Sequence, residues 1–295
     1  MTKGAIVAVI YPVAGGKGGI GKSFITANRG CLLAKRGHRV LLADLDLGGS
    51  NLHTLLGLGD APLGLNAFLN KSRQNLSEVI VSSAVPNLDL LTSKNCSMEA
   101  ANLHPAQKQK IIAAIRRLPY EYILLDLGAG TNFNTLDFFL ISRQTLLVFT
   151  PEPTSIEIGI RFIKAAYFRR LKQIIKQHAL TAILREDEER GNLSSTDIIA
   201  RIIQHDPAKE DLLRSSLRRL TFRFIVNQTR THKMLPVGET IKRLCDRHFY
   251  SEFQFLGNVA YDERVYDSIL SKQVFTRKYP YTAAAEDLTR IAEQL

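Results

Sequence analysis

The stretch Gly16-Lys17-Gly18-Gly19-Ile20-Gly21-Lys22-Ser23 fits the pattern Gly-x-x-x-x-Gly-Lys-Ser/Thr, a loop whose backbone N–H groups cradle phosphate. What flanks it decides the fold. Residues 5–14, AIVAVIYPVA, form an apolar, β-branched run of strand length, and good helix formers follow from Lys22 to Lys35. Strand, glycine loop and helix in that order is the context the pattern requires. The glycines let the chain turn its amides inward, and the helix adds its positive N-terminal end. Gly16, Gly18, Gly19, Ile20, Gly21, Lys22, Ser23 and Phe24 are therefore the expected phosphate-binding segment. Lys22 reaches β- and γ-phosphates, and the Ser23 hydroxyl ligates Mg²⁺. Lys17 adds a second lysine, which most loops of this pattern lack.

Such a loop needs a metal partner and a group that positions water. Two apolar segments supply carboxylates: residues 39–48, Arg39-Val40-Leu41-Leu42-Ala43-Asp44-Leu45-Asp46-Leu47-Gly48, and residues 122–130, which run from Tyr122-Ile123-Leu124-Leu125 into Asp126 and a glycine loop. In a parallel sheet the carboxyl ends of the strands share one edge, so Asp44, Asp46 and Asp126 are expected to converge on the phosphates. An aspartate at a strand end is commonly a turn former or helix cap; three of them behind an intact loop favour function. Asp126 reads as the Mg²⁺-holding carboxylate and Asp46 as the group that orients or activates water. Asp44 stands behind it or replaces it.

These residues resemble the MinD/ParA group of P-loop ATPases, the deviant Walker A or SIMIBI class, whose signature Lys-Gly-Gly-x-Gly-Lys-Ser/Thr stands at Lys17 to Ser23. Within the group the chain is most similar to FlhG/FleN and MinD proteins. Asp44 to Leu52 with Leu55-Leu56-Gly57 resembles their switch I region. Thr150-Pro151-Glu152-Pro153-Thr154-Ser155-Ile156 resembles the segment after their fifth strand, which brings Glu152 to the nucleotide. Phe224 to Gln228 resembles the strand whose terminal asparagine, here Asn227, reads adenine, and Leu256 to Asp262 with Val265 resembles the last strand and its loop. The resemblance implies a three-layer α/β/α fold with a mainly parallel twisted sheet. It also implies ATP or ADP with Mg²⁺ as ligands, slow dimer-dependent ATP hydrolysis, and a Lys17 that reaches the phosphates of the partner subunit in a homodimer. The chain departs from the pattern at Ala260, where proline is frequent. It starts almost directly on strand one, without the N-terminal partner-binding motif of FlhG proteins. It ends acidic, Ala283 to Leu295, where many MinD-like proteins carry a basic amphipathic helix. Flagellar control and membrane targeting are therefore not assigned.

With 295 residues and 45% hydrophobic content, the chain can bury a full α/β core. No linker or repeat divides it, so one domain over residues 1–295 is expected. Strand-like runs near 5–14, 39–45, 87–92, 121–127, 144–150, 221–227 and 255–261 alternate with helical stretches. Cys31, Cys96 and Cys245 are isolated, which suits a reducing cytoplasm and gives no zinc pattern. No apolar run approaches membrane-spanning length. The net charge of +11 favours anionic partners. It is densest from Arg161 to Lys176, where no acid interrupts. Ile160, Ile163, Tyr167, Leu171 and Ile174 fall on one stripe there, which suits either a membrane-surface helix or a sheet-covering helix with a basic outer face; the resemblance implies the second, because the position matches a core helix of the family. That outer face could contact DNA phosphates.

Residues 177–220 read as a helical insertion, with an acidic Arg185-to-Arg190 run, a helix cap at Ser194 to Asp197, and helices over Ile198–Ile203 and Lys209–Leu220. It is equally a partner-binding device or a tolerated surface elaboration. Three outputs follow. One is a switch that positions a cellular structure through a protein partner; another is a DNA-binding segregation ATPase. The third is a metabolic relative of the cobyrinic-acid amide synthases and dethiobiotin synthetases, although no cysteine motif here fits a glutaminase.

Overall fold

The computed structural model describes residues 8–59, 63–94, 96, 103–180 and 194–294. Within them one sheet organises the chain, in the order β3-β4-β2-β5-β1-β6-β7-β8. The strands are β1 Val9–Ala14, β2 Val40–Leu45, β3 Val81–Ser82, β4 Leu88–Leu91, β5 Tyr122–Leu127, β6 Gln144–Phe149, β7 Thr221–Thr229 and β8 Glu252–Ala260. All neighbours are parallel except β3 against β4. β2 is buried along its whole length, the pattern of a parallel strand covered on both faces.

The sequence reading anticipated seven of these strands. The two-residue antiparallel β3 is the addition, too short to leave a periodic signature. Residues 5–7 of the first expected strand lie outside the described residues. Pro12 has no N–H to offer, and β1 pairs with β6 only beyond it, at Val13 and Ala14.

Among the described residues twelve α-helices follow in chain order: α1 Lys22–Lys35, α2 Leu52–Leu55, α3 Leu65–Leu69, α4 Pro105–Ile115, α5 Phe133–Phe139, α6 Pro153–Gln177, α7 Ser195–His205, α8 Glu210–Arg218, α9 Val237–His248, α10 Arg264–Leu270, α11 Phe275–Lys278 and α12 Ala283–Glu293. On one face of the sheet α4, α5, α6 and α9 bury Ile111, Phe139, Phe162 and Ile241 against Phe222 and Phe224. On the other, α1 and α12 bury Ile25, Cys31 and Leu288 against Val13, Leu42 and Ile225. These are the three layers expected.

Helix α6 is 25 residues long, about 37 Å at 1.5 Å per residue, well beyond the reach of a six-residue strand such as β6. Its first half covers the sheet through Phe162, Ile163 and Ala166. Its second half carries α7 and α8, which pack Ile198, Ile202, Leu213 and Leu217 against Tyr167, Leu171 and Ile174. The apolar stripe of α6 is therefore interior, as the covering-helix reading requires. The cap expected for α7 forms: Ser194 Oγ accepts from the Asp197 N–H at 3.2 Å and Asp197 Oδ2 accepts from the Ser194 N–H at 3.1 Å. The acidic run Arg185 to Arg190 lies outside the described residues. Among the described residues no helix is long and apolar enough to cross a membrane. All three cysteines are free.

Candidate functional site

The parallel topology brings the carboxyl ends of β1, β2, β5, β6 and β7 to one edge. There the loop after β1 turns into α1. Gly21, at the helix start, has φ +93°, and a Cβ on it would lie 2.3 Å from Asn227 Nδ2. Only glycine fits both conditions. No side chain caps α1 and its first turn holds no acid, so the N–H groups that a helix start leaves over have no capping side chain here.

Lys22, 8% exposed, sits in this turn with its Nζ 3.4 Å from the Lys17 carbonyl. Burial lowers its pKa, while Asp126 and Asp46 oppose the shift. The Ser23 hydroxyl stands close enough to Asp126 to pull its pKa down, and Thr26 Oγ1 donates to Asp126 Oδ1 at 3.4 Å. Asp126 stands at 1% exposure beside Asp44 in sheet register. Its pKa is pushed up to about 8 by burial first, then by the charges of Asp44 and Asp46, against the pull of Ser23 and Lys22.

The structure separates Asp44 from Asp46. Asp44 is fully buried and its oxygens are engaged: Oδ2 accepts from Ser50 Oγ at 2.8 Å, Asn51 N at 3.0 Å and Leu52 N at 3.1 Å, and Oδ1 from Asp46 N at 3.1 Å. It ties the loop after β2 to the start of α2. Burial raises its pKa in spite of those donors. Asp46 is half-buried and stands over the glycine loop after β5: a Cβ at Gly128 would lie 3.1 Å from Asp46 Oδ1.

Lys17 is 41% exposed at its side chain and pairs with Glu152 Oε2 at 3.0 Å, with Thr154 Oγ1 at 3.3 Å. Glu152 immediately precedes α6, so the segment after β6 does arrive at the loop. Phe24 turns away and packs its ring 5.6 Å from Phe275. Asn227, 4% exposed, gives its amide to the Ile20 carbonyl at 2.9 Å. Ala260, at the position where the resembling proteins often have proline, donates its N–H to Asp287 Oδ2 at 2.9 Å, a bond proline cannot make.

Sequence reasoning missed three supports. Gln228 Nε2 donates to the Gly19 carbonyl at 3.3 Å. Ser93, beyond β4, donates to the Asp46 carbonyl at 3.0 Å. Thr26 touches Asp126. Thr26 had a legible signal, since it lies one helical turn after Lys22; the other two depend on which strands become neighbours.

The donor set fits a magnesium nucleotide. Buried carboxylates at Asp44 and Asp126, with Asp46 near, exceed the single charge of Lys22, and the Ser23 hydroxyl stands beside the Asp126 carboxylate. Among the described residues no group of three or more His, Cys, Asp or Glu side chains could hold a metal by itself. That agrees with Mg²⁺, which takes one or two protein oxygens plus phosphates and waters.

The family model for the CobQ/CobB/MinD/ParA nucleotide-binding domain matches residues 11–275. The chain belongs to this family. It is 27% identical over 203 residues to the septum site-determining protein MinD of Helicobacter pylori, covering 67% of this chain and 75% of that one. It is 25% identical over 236 residues to the antiactivator FleN of Pseudomonas aeruginosa, covering 79% and 75%. It spans 60%, 52% and 54% of the length of three further MinD-type relatives. MinD of Pyrococcus horikoshii, solved with Mg-ADP, superposes with a TM-score of 0.67 at 20% identity, covering 97% of this chain and 95% of that one. A MinD/ParA-type P-loop fold is thus established for the chain.

Proposed function

We propose that this family member is an ATP-binding and ATP-hydrolysing switch that closes into a homodimer on ATP and regulates the positioning or assembly of a cellular structure through a protein partner. One observation carries the reading: Lys22, Ser23 and Asp126 meet at an uncapped helix start with more buried carboxylate than the protein's own cations neutralise. Ser23 and Asp126 would hold Mg²⁺, which would screen the phosphate charge. Lys22 holds the β- and γ-phosphates. Asp46, half-buried beside Gly128, orients the attacking water, and Asp44 shapes the loop that carries it. Lys17 leaves Glu152 and completes the partner's site. Asn227 lines the adenine side. Rate acceleration comes from positioning and electrostatics. The names of the relatives, an antiactivator and a septum site-determining protein, describe regulation and support the partner-directed output.

The test is ATP turnover together with solution mass, measured without nucleotide, with ADP and with ATP. Wild type is expected to hydrolyse ATP slowly and to dimerise with ATP. Lys17→Ala is expected to lose both. Absence of nucleotide binding by the wild type would sink the reading. The ParA-like alternative rests on exposed Lys164, Lys172 and Lys176 along the outer face of α6. Cosedimentation with nonspecific DNA that requires ATP and weakens steeply with salt would favour it; binding to liposomes would place the switch at a membrane surface.

A further inference from the structure

Successive side chains of a β-strand point to opposite faces of the sheet. At the end of β7 they do not. Asn227 Nδ2 and Gln228 Nε2 both reach the phosphate loop, donating to the carbonyls of Ile20 at 2.9 Å and Gly19 at 3.3 Å. The cause is local. Gln228 adopts φ +62°, and the pairing of β7 with β8 shifts register between Val226 and Thr229. A left-handed residue at such a bulge re-aims a side chain, and glutamine has none of glycine's ease there.

The carbonyl and N–H of one trans peptide unit point in opposite directions. A donor on the Ile20 carbonyl therefore directs the Gly21 N–H away from β7. A donor on the Gly19 carbonyl does the same for the Ile20 N–H. Among the described residues these two amides donate to no carbonyl or side chain. We infer that Gln228, acting with Asn227, is a positioning residue that fixes two successive loop amides for the polyphosphate of the nucleotide. This rests on the ATP-binding reading above. It adds that the left-handed turn at Gln228 is held for the loop's sake, since nothing in the pairing of β7 with β8 beyond the shift requires it.

The test compares Q228M, Q228K and Q228G by Kd for ADP and ATP, by steady-state kinetics, and by melting without nucleotide. Methionine keeps the length and removes the donor. Lysine restores a donor. Glycine removes the donor and relieves the backbone. Losing one hydrogen bond of ordinary strength weakens binding about 3- to 10-fold. Q228M is expected to show that loss in Kd and KM, with kcat at saturating ATP held, and Q228K to recover most of it. Q228G is expected to bind as weakly as Q228M while melting at the same or a higher temperature than wild type. A merely structural residue would lower affinity and melting temperature together in Q228M and recover both in Q228G; that outcome overturns the inference. So does a Q228M that binds ADP as tightly as wild type. If wild type binds neither nucleotide, the ATP reading falls and the inference with it. If wild type binds and Q228M is unchanged, only the inference falls.

Discussion

Asp126 at the end of β5 and Asp137 within α5 are both withdrawn from water, and their carboxyl groups respond in opposite directions. Burial drives Asp126 up to about 8, helped by its neighbours Asp44 and Asp46 and opposed by Ser23 and Lys22. Burial pushes Asp137 the same way, but hydrogen bonds from Arg169 and Lys108 outweigh it and hold the carboxyl below its usual value. Asp137 is complete within the protein: Lys108 from α4 and Arg169 from α6 both pair with it. Asp126 is not, and what would complete it is a cation the chain does not carry. A buried carboxyl whose charge the protein pairs marks architecture, and one whose charge it leaves unpaired, so that the proton is held, marks a place for a cationic ligand.

Asp137→Asn should give the largest stability effect. It strands Lys108, whose side chain is 7% exposed, and breaking a buried pair from one side costs about 3–5 kcal/mol. Chemical denaturation reads this directly. Lys108→Met combined with Asp137→Leu should recover part of the loss, because the buried Lys108 charge is then gone as well, while Arg169, 30% exposed at its side chain, keeps access to water. A loss below about 1 kcal/mol in Asp137→Asn would place the trio with ordinary surface pairs.

Asp126→Asn should do the reverse. Turnover falls by about 10²–10³-fold, the scale for removing one group that stabilises transition-state charge. Stability without nucleotide stays level or rises, because a carboxylate crowded by Asp44 is removed. If Asp126→Asn instead destabilises the ligand-free protein as Asp137→Asn does, Asp126 is architectural and the contrast collapses.

The loop and the strand-end carboxylates were legible because their chemistry is local: a glycine pattern, an apolar run, an aspartate at its end. The α7 cap was legible for the same reason, Ser194 and Asp197 being three residues apart. The Asp137 trio was not. Its members sit on α4, α5 and α6, and Arg169 lies in a run that reads as a solvated basic face when no fold is known. Gln228 was hidden because the alternation rule sends it away from its neighbour Asn227, and only the bulge brings it back. Asp44 and Asp46 looked alike in sequence; the four donors on Asp44 tell them apart.

The two carboxyls also separate under acid. The folded Asp137 carboxyl titrates below its unfolded value near 3.9, so its contribution is fully present above that value. It is lost as pH falls through the folded one. Wild type should therefore lose stability below about pH 4 in part through this group. Asp137→Asn, already weaker at pH 7, should fall less steeply across the same range, as urea titrations at several pH values would show. Parallel curves for the two proteins would mean that the Arg169 and Lys108 bonds do not hold the proton off.

The smallest effect is expected at the most visible pair. Lys17 and Glu152 are 3.0 Å apart but 41% and 59% exposed. An ion pair that wet is worth about 0–1 kcal/mol, and salt screens it further. Glu152→Gln and Lys17→Ala should each leave the denaturation midpoint nearly where it is, far from the shift of Asp137→Asn. Hydrolysis should nevertheless fall in Lys17→Ala, since the proposed work of that lysine lies in the partner's site and not in its own fold. Measuring both quantities on the same preparations separates the roles. If Lys17→Ala cost more than about 1 kcal/mol of stability, beyond the range for exposed pairs, Lys17 would belong with Lys108 as a structural cation. Its place in the signature would then need a different physical reason.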